Sequence, residues 1–253
     1  MRIPKNRFYE NEEWLRDMYL NKKLRLYQIM KICGVRHNTL KKYIEKFKIP
    51  RQPWGEAVHL AKSNHCNLSQ EAIEWINGEL LGDGCIALIS SYSARFSYGS
   101  KYFEYCEYVS NTLESFGIKQ SGKISKHTND WGTYYQYKTK SYPELKNIYN
   151  KFYPNGKKII PENLKLTSLT CRQWYIGDGS LKHPKDSKPA IVLSTDCFSI
   201  FDVNYLVKYL SILKIKATRQ KNNRIRIWAC SVKDFLGYIG NCPINCYQYK
   251  WKY

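Results

Sequence analysis

The tripeptide Gly-Asp-Gly occurs twice, at residues 82–84 and 177–179, and each time it closes a stretch with helical patterning. The elements that follow repeat as well. The first copy opens with a helix from Ser69 to about Leu81, with Ser69 placed as its N-cap. A strand (Tyr92 to Tyr98) comes next, then a helix (Tyr102 to Phe116) with Phe103, Cys106, Val109, Leu113 and Phe116 inward. Strands over Gly122 to Lys126 and Thr133 to Lys140 precede a short helix, Tyr142 to Phe152. The second copy reads helix (Thr167 to Ile176), strand (Ala190 to Thr195) and helix (Ser199 to Leu213), the last opened by a Ser199–Asp202 capping box. Strands Ala217 to Lys221 and Arg224 to Ala229 and the helix Val232 to Ile239 complete it. Each Gly-Asp-Gly leaves room for one further strand behind it. A doubled order of elements predicts an α+β domain of two pseudo-symmetric halves, 69–160 and 161–253.

Residues 1–70 differ in kind. They carry 15 Lys and Arg against 6 Asp and Glu. Their apolar spacing predicts helices over Glu12 to Leu20, Leu26 to Cys33, and Arg36 or His37 to Phe47. Gly34-Val35 turns the chain between the last two, and Ile49-Pro50 stops the third. Leu40, Tyr43, Ile44 and Phe47 form one face of the third helix and leave Arg36, Asn38, Lys41 and Lys42 on the other. Helix, glycine turn and basic helix resemble a helix-turn-helix module, expected over 1–50 to touch DNA, with a linker at 51–68.

Over the 253 residues, 41 Lys and Arg oppose 21 Asp and Glu, a net charge of +20. Such an excess calls for a polyanion or an anionic membrane surface as partner, and nucleic acid, rather than a membrane, is the expected one. No apolar run approaches the ~20 residues of a spanning helix, and Met1 to Arg7 lacks an apolar signal core. The expected setting is therefore intracellular and with DNA, in a bacterial or phage-infected cytoplasm or an organelle. The nine cysteines read as reduced thiols. Neither Cys242 and Cys246 nor His59, His65 and Cys66 has the paired spacing of a structural zinc site.

A carboxylate at a helix C-terminus meets the negative end of the macrodipole. A divalent cation set against it reverses that penalty. Asp83 and Asp178 would supply oxygen ligands, joined by the carbonyls of Gly82 and Gly177. Oxygen ligands with open water positions suit Mg²⁺, with Mn²⁺ as a substitute. Glycines let two such helices approach closely, and a pseudo-dyad sets the aspartates side by side. Paired carboxylates with metal at a phosphodiester make a hydrolysis site.

The stretches Ile76 to Gly84 and Cys171 to Gly179 resemble the two motifs of single-chain LAGLIDADG homing endonucleases. The likeness covers about 69–253. In the second half it is nearest the omega-intron kind of yeast mitochondria, through Lys157 to Pro161, Trp174 to Gly179, Ile191 to Thr195, Tyr205 to Lys208 and Tyr249-Lys250. This resemblance implies compact αββαββα halves meeting along their motif helices, with two antiparallel sheets saddling the DNA major groove. It implies cutting of both strands with short 3′ overhangs, Mg²⁺ at Asp83 and Asp178, and a basic residue near each cleaved phosphate, matched here by Lys158 and Lys250. Gln173 and Glu79 depart from the family pattern, which has a small and an apolar residue there. His59, His65, His127 and His183 match no catalytic role.

Strand alternation offers one sheet face to the groove. Arg95, Lys126, Gln136, Lys138, Lys140, Arg219, Lys221, Arg224 and Arg226 are the candidates to read bases or hold phosphates. A single chain with unequal halves should read an asymmetric DNA site as a monomer. Two alternatives share the scaffold: a non-cutting DNA-binding regulator, and a splicing maturase with RNA as partner.

Overall fold

The computed structural model describes residues 7–22, 24–50, 63–130, 132–182 and 188–253. His59, His183 and most of the expected linker lie outside these residues. The chain divides into two compact units, Met1–Lys62 and Ser63–Tyr253.

In the first unit, Asn11 accepts from the Trp14 amide and starts α1 (Glu12–Arg16), which widens into a π-helical turn over Asp17–Asn21. Helices α2 (Leu26–Cys33) and α3 (His37–Lys46) follow. Gly34 joins them at φ +65°, a conformation that strains side chains with a Cβ. Leu15, Ile29, Cys33, Leu40 and Ile44 form this unit's own core. Asn38, Lys41 and Lys42 of α3 are exposed, as is Arg36 at its N-cap.

The second unit repeats one plan twice. Its first half runs α4 (Gln70–Leu81), β1 (Cys85–Ser90), β2 (Ser93–Ser100), α5 (Phe103–Ser115), β3 (Ser125–Asn129), β4 (Gly132–Lys138) and α6 (Pro143–Phe152). Its second runs α7 (Ser168–Asp178), β5 (Gly179–Lys182), β6 (Ala190–Leu193), α8 (Ile200–Ile212), β7 (Ala217–Arg219), β8 (Ile225–Ile227) and α9 (Ala229–Ile239), then a 3₁₀ segment, Asn245–Trp251. The sheets are antiparallel, ordered β1-β2-β4-β3 and β5-β6-β8-β7. The room left behind each Gly-Asp-Gly is filled by β1 and β5.

Local chemistry sets the helix starts. Ser69 and Thr167 accept from the amides of Ala72 and Thr170, and Ser199 with Asp202 makes the expected capping box. Cys106, Val109 and Leu113 of α5 are buried. Phe103 is exposed instead, because it opens α5 and edges onto Tyr135. Among the described residues no helix is long and apolar enough to cross a membrane.

Candidate active site

Helices α4 and α7 lie side by side and point the same way. Thr170 Oγ1 donates to the Glu74 carbonyl at 3.0 Å near their starts. At their ends the backbones touch: a Cβ on Gly82 would lie 3.3 Å from Gly177 Cα, and one on Gly177 would lie 3.1 Å from the Asp83 amide and 3.6 Å from Asp83 Oδ2. The first two distances are tighter than an ordinary Cβ contact, so the missing side chains ease that approach. The seam therefore delivers Asp83 and Asp178, remote in sequence, to one spot.

Two lysines serve this spot. Lys158, after α6, donates from Nζ to the Gly82 carbonyl at 3.4 Å. Lys250 donates to the carbonyls of Tyr175, Ile176 and Gly177 at 3.4, 2.5 and 3.2 Å. Each ammonium thus satisfies carbonyls that a helix end leaves open, and offsets the negative pole of two parallel helices. Lys158 also lies 5.5 Å from the Phe198 ring, and Lys250 lies 4.9 Å from the Tyr247 ring.

Burial shapes the charges. Asp178 is pushed up to about 7, first by desolvation and then by facing Asp83, against the pull of Lys158 and Lys250. Lys250, almost wholly buried, is drawn down to about 8 by desolvation, opposed by both aspartates. Lys158 is lowered for the same reason. Two carboxylates that crowd each other suit a divalent cation, which would relieve the repulsion that raises Asp178. Among the described residues no group of three or more His, Cys, Asp or Glu is placed to hold a metal ion. Two carboxylates completed by water and phosphate fit the way Mg²⁺ is bound beside phosphates. The carbonyls of Gly82 and Gly177 lie at the same spot but already accept from the lysines.

The sequence profile of the LAGLIDADG DNA endonucleases matches residues 73–235, which spans both motif helices and both sheets. The chain belongs to that family. An uncharacterized protein of Methanocaldococcus jannaschii, MJ1098, is 26% identical over 207 residues, covering 73% of this chain and 78% of its own length. Among solved structures, the homing endonuclease I-WcaI bound to its DNA recognition sequence superposes with a TM-score of 0.63 at 22% identity, over 73% of this chain and 87% of that one. That likeness is one of fold.

Against the family pattern, Glu79 and Gln173 become a single feature. Both are buried in the α4–α7 seam. Tyr105 donates to Glu79 Oε1 at 2.6 Å. With its carboxamide oriented to suit its neighbours, Gln173 donates to the same oxygen at 3.0 Å and accepts from Trp75 Nε1 at 3.2 Å. Burial pushes the Glu79 carboxyl up to about 8. The folded chain therefore keeps a proton that the unfolded chain gives up near 4.5, and stability should fall as pH rises from there through 8. Asp178 adds to this slope up to about 7 when no cation is bound. Glu79→Gln should flatten the part that Mg²⁺ leaves, as read by urea unfolding at about pH 6 and about pH 9, a unit or more either side of those values.

Register sorts the candidate DNA-reading residues. Gln136 pairs with Ser125 and Gly99, Lys138 with Ser97, and Arg95 with Ala87, all on the sheet face opposite buried Phe96, Tyr98 and Tyr137. Lys140 continues that parity beyond β4 and is exposed. In the second sheet Arg226 pairs with Thr218 and Val192 on the corresponding face. Lys221 is exposed in the turn, and Arg224 binds Asp196 at 3.0 Å. Two candidates face the other way. Lys126 pairs with Tyr135, on the helix side, and Arg219 pairs with Ile225 and donates to Asn204 of α8 at 3.2 Å. The same register places residues that strand alternation alone did not single out. Lys182 follows the parity of Ser180 and Val192 on the open face. His127 stacks on Tyr134, its cross-strand partner, with ring centroids 5.0 Å apart.

Proposed function

We propose that this chain is a site-specific, Mg²⁺-dependent homing endonuclease that cuts both strands of a long asymmetric DNA site, leaves short 3′ overhangs and so spreads its own intron or gene. The observation that carries the reading is the meeting of Asp83 and Asp178 at the ends of two glycine-packed helices, each flanked by a half-buried or buried lysine. A pure DNA binder gains nothing from two carboxylates crowded where phosphate would lie. Mg²⁺ held by the two aspartates would activate water and stabilise the leaving oxygen. Lys158 and Lys250 hold positive charge beside the strand being cut. Lys250, drawn down to about 8, is also suited to pass a proton near neutral pH. The open sheet faces, through Arg95, Gln136, Lys138 and Arg226, supply the contacts that read bases and hold backbone. The chain would act as a monomer in an intracellular, DNA-containing compartment.

The test is direct. Duplex DNA spanning the locus that holds the gene, rejoined across it, is incubated with the purified chain in Mg²⁺ and in EDTA. A double-strand break in Mg²⁺ alone supports the reading. Binding without cutting turns the assignment to a regulator, and splicing of the intron transcript turns it to a maturase.

The first unit is proposed to be a second DNA contact, through the exposed Arg36, Asn38, Lys41 and Lys42 of its α3 helix region. Replacing Lys41 and Lys42 together with Ala should lower the slope of log affinity against log salt by about 2, roughly one for each phosphate no longer neutralised. Fluorescence anisotropy across a salt series checks it, and an unchanged slope removes the unit from the interface.

A further inference from the structure

The two motif aspartates are not held alike, and the strand register shows the cause. On β1–β2, Cys85 pairs with Ser97; on β5–β6, Ser180 pairs with Val192. Cys85 and Ser180 each lie two residues after a motif aspartate, so Ser97 matches Val192 and Tyr98 matches Leu193. The inner strands agree. Tyr98 faces Tyr137 where Leu193 faces Ile225, and Ser97 faces Lys138 where Val192 faces Arg226. Tyr98 and Leu193 are both buried. Tyr98, however, donates its hydroxyl to Asp83 Oδ2 at 3.3 Å. Leu193 has no hydroxyl to give, and no side-chain hydroxyl reaches Asp178 among the described residues.

Tyr98 is also firmly seated. Its ring packs on Tyr105 with centroids 5.1 Å apart, and the Tyr105 hydroxyl is tied to Glu79. The donor therefore sits on a strand held from behind, and Asp83 must settle toward it. A donor on one carboxylate oxygen restricts the side chain's rotamers and leaves the other oxygen free for a ligand. Asp178 pays that ordering cost itself when it binds.

We infer that Tyr98 is a positioning residue for Asp83 with no counterpart in the second half, so that the two strand cuts depend on it unequally. The inference deepens the endonuclease reading and rests on it. Tyr98 acts through Asp83 rather than on the phosphate.

Tyr98→Phe removes one oxygen and keeps the ring and its packing. Binding of Mn²⁺ to the full chain, followed by electron paramagnetic resonance of the free ion, should weaken up to about tenfold, the upper end of what ordering one side chain costs on binding. On a supercoiled plasmid carrying the target, one strand should slow up to about tenfold while the other keeps its rate, so nicked circles accumulate. Leu193→Met, which alters packing at the matching position without touching a polar group, should move neither readout. Unchanged Mn²⁺ affinity in Tyr98→Phe overturns the inference, as does equal slowing of both strands, the mark of a purely structural role. A chain that shows the Mn²⁺ defect yet cuts no DNA overturns the endonuclease reading alone. An unaltered chain that binds no Mn²⁺ overturns both.

Discussion

Asp83→Asn and Asp178→Asn should each end double-strand cleavage, with a loss of about 10³-fold or more, the several kcal/mol that a positioned metal contributes to a phosphodiester transition state. Asparagine keeps the shape of each side chain and so the packing of the helix ends. It offers a neutral oxygen where a cation needs a charged one. Affinity for DNA should hold within about tenfold, because removing a negative charge beside a polyanion offsets the missing metal bridge. The pair also makes an asymmetric prediction about protons. Asp178 is held at about 7 partly because Asp83 faces it. Asp83→Asn removes that repulsion, and the Asp178 carboxyl should titrate lower, as carbonyl-resolved NMR would show. A gel assay for cutting and a shift assay for binding decide the main point. Full cutting by one variant would reject the assignment of that aspartate, and full cutting by both would reject the assignment altogether.

The elements most legible in the sequence are those whose cause is local. Ser69, Thr167 and the Ser199–Asp202 box announce their helices because a cap is satisfied within three residues of itself. Gly34 likewise marks a turn that its own φ requires. The doubled Gly-Asp-Gly predicts the seam because a close approach of backbones leaves a trace in glycine. What stays hidden is set by pairing across the chain. Lys126 and Arg219 look like groove-facing residues until register fixes their parity, and a shift by one residue inverts a strand's faces. Glu79 and Gln173 read as two separate irregularities. They satisfy each other only once α4 and α7 are laid side by side. Tyr98 carries no signal at all among 22 tyrosines, since its meaning depends on Asp83 lying within reach and on Leu193 at the matching place.

The seam itself makes the strongest claim on stability. A Cβ at Gly78 would stand 2.5 Å from the Thr170 carbonyl oxygen and 2.7 Å from Gln173 Cβ. The first of these is backbone and cannot swing aside. Gly78→Ala should therefore push α4 from α7 and cost about 3 kcal/mol, the upper end for overpacking a close contact. Helix propensity works in the opposite direction, since Ala in place of Gly inside a helix gains about 1 kcal/mol. Gly237, exposed in α9 with nothing within 4 Å of its would-be Cβ, isolates that gain. Gly237→Ala should raise stability by about 0.5–1 kcal/mol. The difference between the two variants in urea unfolding measures how tightly the helices meet. Gln173 follows from the same geometry: its side chain is accommodated because residue 78 has none. Prying the helices apart at Gly78 should also shift Asp83 against Asp178, so Gly78→Ala should cut DNA more slowly even where it remains folded. If Gly78→Ala were as benign as Gly237→Ala, the helices would not be in contact there, and the geometry that unites the two aspartates would fail with them.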